Sequence, residues 1–280
     1  MLGFLKRRRA AFSADSPPPC TPDGMRIYAI GDIHGRCDLL RLLQDRIRAD
    51  AERHPGKRWV VIYLGDYVDR GSESREVLEQ LCMRPLVGFD SFHLLGNHEQ
   101  ALLGFMRNPE SFSNWLTYGG LATLGSYGVG ATSSGAPGAL KRMARELSMA
   151  MPETHLLFLE RLEIHRRFGD YLFVHAGIRP DVPIEAQSLD DLLWIREDFL
   201  RYTKLYPLFV VHGHHIQDEP DIRTNRIGID TGAFATGCLT SLVLDGEERS
   251  FIDTLQEWPE VSGDFRESPY PTENSGIGQN

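Results

Sequence analysis

The sequence predicts an α/β fold with mixed sheets, and three observations predict it. Short apolar runs end abruptly in polar clusters rich in Gly, Asp, His and Asn. Apolar residues at helical spacing follow those clusters, which makes strand, polar loop, helix the repeating unit. The last third of the chain changes to strand-like runs separated by tight turns, which calls for antiparallel pairing as well.

The elements follow in order. Ile27 to Ile30 reads as a buried strand and ends in Gly31-Asp32-Ile33-His34-Gly35. Leu39, Leu40, Leu43 and Ile47 then recur on one helical face. Trp59 to Leu64 is the second strand and runs into Gly65-Asp66-Tyr67-Val68-Asp69-Arg70-Gly71. Ser72 is the expected N-cap of a helix burying Val77, Leu78 and Leu81. Phe92 to Leu95 is the third strand, closed by Gly96-Asn97-His98-Glu99, with helix expected from Ala101 to Met106. Tyr171 to Val174 ends in His175-Ala176-Gly177, and Leu208 to Val211 runs into His212-Gly213-His214-His215. Strands at 226–229, 239–244 and 250–254 complete the series, with turns at Asp230-Thr231-Gly232 and Asp245-Gly246. Ligands of α/β folds collect outside the carboxyl ends of strands, where these clusters lie.

Composition removes several function classes. The net charge of -9 argues against general nucleic-acid binding, which needs a basic surface. No apolar run is long enough for stable membrane insertion. Four cysteines without a CxxC pair suggest neither a disulfide framework nor a thiolate zinc site, so a reducing, cytoplasmic setting is expected. Residues 1–24 read as a flexible basic and proline-rich tail, with Lys6-Arg7-Arg8-Arg9 behind a few apolar residues, the reverse of a secretory signal. The domain is expected over 25–257. Residues 258–280 lack apolar periodicity and read as a disordered tail. Residues 107–151 are glycine-rich and read as an irregular insertion; if it covers the site as a lid, Trp115, Tyr118 and Tyr127 are its rim.

The clustered residues mix hard oxygen and imidazole nitrogen ligands, a set suited to a pair of divalent cations. Asp32, His34 and Asp66 are expected to hold one; Asp66, Asn97, His175 and a histidine of the 212–215 loop the other, with Asp66 bridging. Water shared by two cations becomes a hydroxide nucleophile near neutral pH, suited to direct attack on phosphorus. His98, next to the ligand Asn97, is the expected general acid, with Asp69 fixing its ring. Arg70 and Arg196 are expected to grip phosphate oxygens with their planar forks. His54, His93, His155 and His165 lack such context and read as surface or packing residues.

These clusters resemble the phosphoprotein phosphatase family of calcineurin-like metallophosphoesterases, whose GDxHG, GDxVDRG and GNHE motifs are all intact from Asp32 to Glu99. His-Ala-Gly at 175–177, Trp-Ile-Arg-Glu at 194–197 and Gly-His at 213–214 are similar to its remaining site segments, and the last selects His214 among the three loop histidines. The resemblance covers roughly residues 25–254 and is greatest to small bacterial and phage enzymes. It implies two mixed β-sheets packed face to face between helices, an αββα sandwich. It also implies two divalent metal ions, manganese foremost with iron or zinc as alternatives. The expected activity is a serine/threonine protein phosphatase acting on a phosphoprotein or phosphopeptide. A related group hydrolyses diadenosine tetraphosphate symmetrically and is the alternative; Glu99 and the full Val68-Asp69-Arg70-Gly71 run tilt this chain toward phosphomonoesters. A non-catalytic, metal-stabilised binding protein is the alternative of a different class, and intact His98 and Arg70 argue against it.

Overall fold

The computed structural model describes residues 17–130 and 136–255. Two five-stranded sheets form the centre. The first carries β1 (Met25–Ile30), β2 (Arg58–Tyr63), β3 (Phe89–His93), β9 (Thr240–Asp245) and β10 (Glu248–Asp253), in the order β10-β9-β1-β2-β3. The second carries β4 (His165–Phe168), β5 (Tyr171–Val174), β6 (Phe209–His212), β7 (Asp221–Ile222) and β8 (Arg226–Gly228), in the order β4-β5-β6-β8-β7. Both are mixed: β1, β2 and β3 pair in parallel, as do β5, β6 and β8, while β9, β10, β4 and β7 join antiparallel.

Alternation of side chains along each strand explains the layers. Ile27, Ala29, Val60 and Ile62 leave the inner face of the first sheet and meet Phe173, Phe209, Val211 and Ile227 from the second. Tyr28, Ile30, Val61 and Tyr63 point the other way, onto α1 (Cys37–Glu52), α2 (Ser74–Met83) and α3 (Asn97–Arg107). Leu172, Val174 and Val210 do the same on the outer face of the second sheet, beneath α7 (Leu189–Trp194) and α8 (Glu197–Leu200). Strands covered on both faces read as continuous apolar runs, which is why β1 and β2 stood out. The result is the expected αββα sandwich.

Several boundaries differ from expectation. The second helix starts at Ser74, not after Ser72, because the Ser74 hydroxyl is taken up by the Asp69 N–H at 3.0 Å and Glu73 sits at the N-cap without capping through its side chain. The third helix starts four residues before Ala101, so Asn97 and His98 lie in its first turn. Residues 107–151 are not irregular where described. A 3-10 turn (Ser113–Tyr118), α4 (Gly120–Ser126) and α5 (Ala139–Ala150) occupy them, followed by α6 (Glu153–Glu160). Gly120 and Gly125 lie within α4, while Gly119 takes φ +119° at the junction of the 3-10 turn and α4, a conformation open to glycine.

Residues 17–24, expected as tail, instead lie against the sandwich. Tyr171 donates its hydroxyl proton to Pro19 O, Cys20 N donates to Asp170, and Thr21 is buried. The ordered domain therefore begins before Met25. The Lys6–Arg9 run and the 258–280 tail lie outside the described residues. Among the described residues, no helix is long and apolar enough to cross a membrane.

Candidate active site

The loops after β1, β2 and β3, and those after β5, β6 and β8, converge at the carboxyl edge of the sandwich. Backbone bonds fasten the first two loops together: Ile33 N and His34 N both donate to Asp66 O, at 3.0 and 2.9 Å, and Gly71 N donates to His34 O at 3.0 Å. The local conformations are costly. His34, Asp66, Asp69, Arg70 and His214 all hold φ between +46° and +74°, and each such non-glycine residue costs on the order of 1–3 kcal/mol. Strain of this kind persists only where surrounding contacts impose it.

Glu99 imposes much of it. It is fully buried, and its two oxygens accept four backbone N–H groups: Tyr67 at 2.7 Å, Asp66 at 2.9 Å, and Val68 and Gly96 at 3.1 Å. One side chain thus holds the Asp66 loop against the start of α3. Gly96 permits this approach, since a Cβ there would meet Asp66 Oδ1 at 2.2 Å. The N-terminus of α3 then points at the Asp66 carboxylate, with His98 N donating to Oδ1 at 3.1 Å, so the positive end of the helix supports the charge.

Asp66 occupies the centre. His34 Nε2 is 3.4 Å from its Oδ2, and His175 Nε2 is 3.4 Å from its Oδ1, so the carboxylate presents one oxygen to each side. His34 Nδ1 faces Val68 O and His175 Nδ1 faces Leu64 O, both at 2.9 Å. A carbonyl can only accept, so Nδ1 carries the proton in both rings. Burial keeps both imidazoles neutral, with His34 lowered to about 3 and His175 lowered as well. Each Nε2 is therefore a bare lone pair. His175 Nε2 also lies 2.9 Å from Asn97 Oδ1, and His214 Nδ1 lies 2.8 Å from the same oxygen.

Lone pairs aimed at one another repel unless a cation lies between them. His34 Nε2 is buried without a hydrogen-bond partner among the described residues, an arrangement that is unfavourable without a ligand. Two groups have donor atoms within 4.8 Å of one another: Asp66, His175 and His214, and His34, Asp66 and His98. With Asn97 Oδ1 added, the first is a complete set for one divalent cation. Asp32 was the expected partner of His34 and Asp66. Its carboxylate here accepts the His214 N–H, at 3.2 and 3.0 Å from its two oxygens. Burial raises its pKa, and the charges of Asp230 and Asp66 raise it further. Asp32 stands in neither of the two groups of clustered donor atoms.

His98 stands in the second group by distance, but its surroundings are those of an acid. Its Nδ1 is 2.6 Å from Asp69 Oδ2. Burial opposes its charge, yet Asp66 and the Asp69 hydrogen bond prevail and carry it up to about 8. A protonated imidazole has no lone pair for a metal. Asp69 is itself wholly buried and accepts from Trp115 Nε1 at 2.7 Å and Thr123 Oγ1 at 2.6 Å. Arg70 Nη2 donates to His98 Nε2 at 3.3 Å, so the guanidinium faces the space beside the imidazole, where a bound anion would draw Arg70 to itself and leave Nε2 free to carry the proton. The Arg70 guanidinium also lies 4.7 Å from the Phe234 ring centroid, which braces it. Arg196 is exposed at the N-cap of α8, on the side of the second set, and its charge acts on His175, His214 and His215.

The segment expected as a lid has a different role. Trp115 and Tyr127 are buried rather than on a rim, and Trp115 reaches Asp69 from below; Tyr118 is exposed. Sequence reasoning missed Thr123 and this use of Trp115, because both meet Asp69 through tertiary packing with no local signal. The position of Glu99, three residues after the N-cap Gly96, is by contrast a helix-start signature. His212 does not join the site: it is buried, with Nε2 3.2 Å from Arg226 Nη1.

The family model for calcineurin-like phosphoesterases matches residues 25–230. The chain belongs to this family. It is accordingly a hydrolase of the metallophosphoesterase class, a class that uses a dimetal centre, and the side chains gathered around Asp66 could bind metal ions. The asymmetrical bis(5'-nucleosyl)-tetraphosphatase PrpE of Halalkalibacterium halodurans is 25% identical over 266 residues, 88% of this chain and 100% of its own. Serine/threonine-protein phosphatase 2 of Salmonella typhimurium is 27% identical over 226 residues, 76% of this chain and 90% of its own. A cold-active protein tyrosine phosphatase of known structure is similar in fold, with a TM-score of 0.54 at 18% identity, covering 89% of this chain and 88% of that one.

Proposed function

We propose that this metallophosphoesterase is a serine/threonine protein phosphatase hydrolysing phosphomonoesters on a phosphoprotein or phosphopeptide. The observation that carries this reading is the buttressed acid, His98 held 2.6 Å from Asp69. A serine or threonine alkoxide is a poor leaving group and must be protonated as it departs. A polyphosphate leaving group needs little such help. An imidazole raised to about 8, with its partner carboxylate fixed by Trp115 and Thr123, suits the first task.

Asp32, His34 and Asp66 would hold one cation, and Asp66, Asn97, His175 and His214 the other. Bound there, divalent cations supply Lewis acidity, acidifying water and offsetting phosphoryl charge. The side chains of the chain do the rest. Asp66 and Asn97 orient the site, the latter without adding negative charge. Arg70 and Arg196 bind the phosphoryl oxygens from opposite sides and stabilise them as charge develops. His98 delivers its Nε2 proton to the leaving oxygen, and Asp69 keeps the ring in register. Manganese is the cation we assign, on the mixture of carboxylate oxygens and imidazoles. All four cysteines are free, which supports a reducing compartment, the cytoplasm.

A second reading is favoured by the full-length likeness to the asymmetrical dinucleotide tetraphosphatase. It differs from the symmetrical cleavage considered from sequence. The test is phosphate release from a phosphothreonine peptide against cleavage of diadenosine tetraphosphate, at equal concentration, with manganese-loaded protein. Faster peptide turnover is the expected result. Faster dinucleotide turnover would overturn the proposal, and the products would name the reaction: adenosine diphosphate alone for symmetrical cleavage, adenosine mono- and triphosphate for asymmetrical.

A further inference from the structure

Asp230 follows β8 and leads into the turn before α9 (Ala233–Thr236). Its backbone is pinned from both sides: the preceding Ile229 donates to His212 O at 2.9 Å, and Asp230 O accepts from Gln217 N at 3.0 Å. Oδ1 accepts the Gly232 N–H at 2.9 Å. Oδ2 has no hydrogen-bond partner among the described residues, although Asp230 is only 2% exposed. A buried carboxylate oxygen without a donor is unfavourable, and a protein retains one where a ligand or water completes it.

Its position indicates which ligand. No other charge acts on Asp32 as strongly as that of Asp230, and the charge of Asp66 acts in turn on Asp230. Three buried carboxylates thus share one region, while the Asn97, His175 and His214 side has only a share of Asp66. Asp230 and Asp32 are both outside the two groups whose donor atoms lie within 4.8 Å of one another, and the two carboxyls lie within hydrogen-bonding reach of each other. Asp230 thus stands behind Asp32, and a carboxylate behind a ligand acts on the cation through water.

We propose that Asp230 belongs to the first cation site, where its Oδ2 accepts a hydrogen bond from water held by the cation at Asp32, His34 and Asp66. This rests on the dimetal reading above. It makes the two sites unequal: the first has three carboxylates within reach and favours a hard, oxygen-seeking cation such as Mn²⁺, while the second is richer in imidazole.

The test is calorimetric titration of metal-stripped, full-length protein with Mn²⁺, comparing wild type with Asp230→Asn. Asparagine keeps an oxygen for the Gly232 N–H, and the thermal midpoint of the stripped protein checks that the fold is retained. Loss of a water-mediated carboxylate typically weakens metal binding about 10–100-fold; that loss is expected at one of the two sites, with the other unchanged. Asp230→Ser, whose hydroxyl can also accept from Gly232, is expected to give the same result and serves if the asparagine variant fails to fold. Unchanged affinity at both sites overturns the proposal. Equal weakening of both overturns it too, since that is a general disturbance of the fold. Wild-type protein that binds fewer than two Mn²⁺ ions contradicts the dimetal reading itself, so the two failures are distinct.

Discussion

Replacing His98 with asparagine lowers turnover about 10²–10⁴-fold, the range a positioned general acid contributes, and leaves metal content unchanged. Asparagine removes the transferable proton but can still bond Asp69, so the buried carboxylate is not stranded. The loss depends on the leaving group: it is large for an alkyl phosphate and small for p-nitrophenyl phosphate, whose phenolate leaves without assistance. The pH profile carries a second signature. His98 is raised to about 8, and its protonated form is the active one, so kcat/KM falls as pH rises through about 8. That limb disappears in the asparagine variant. Metal analysis beside the rate measurement is decisive. If turnover and metal content fall together, the grouping of His98 with His34 and Asp66 reflects ligation, and the acid must be sought elsewhere.

Asp66→Asn empties both cation sites. Its two oxygens face His34 on one side and His175 on the other at 3.4 Å, so one charge serves both positions. Asparagine offers a single neutral oxygen in the same space. The substitution is clean for the backbone, because Asp66 holds φ +53°, and asparagine accepts the left-handed region better than most residues. An alanine at 66 would add backbone strain to the chemical loss. The expected result is a fall from two tightly bound manganese ions to none, with activity lost in parallel. A variant that retains two tightly bound ions would show that Asp66 is not the bridge.

How much of this was legible in the sequence follows from the distance over which each feature is encoded. Asp32, His34, Asp66, Asn97 and His98 stand where apolar strands stop, and a strand buried on both faces makes such a stop visible in a single segment. The αββα layering needed more: alternation in β1 and β2 is masked by burial on both sides, and the resemblance supplied the second sheet. Glu99 was visible but misjudged; it served only to separate substrate classes, whereas its carboxylate organises the Asp66 loop. Trp115 and Thr123 were beyond reach, because their bonds to Asp69 cross 46 and 54 residues. Asp230 read as an ordinary turn residue, since a local sequence cannot show that one of its oxygens lacks a donor. Glycine density at 107–151 misled in the other direction, where glycines within and between short helices look the same as glycines within a loop.

The central claim is that a dinuclear site around Asp66 performs phosphoester hydrolysis. The measurement that tests it most directly is p-nitrophenyl phosphate turnover by stripped protein, followed as Mn²⁺ is added in measured equivalents. The account predicts negligible activity without metal and a rise that saturates at two equivalents. Full activity after stripping, or saturation at one equivalent, would contradict it.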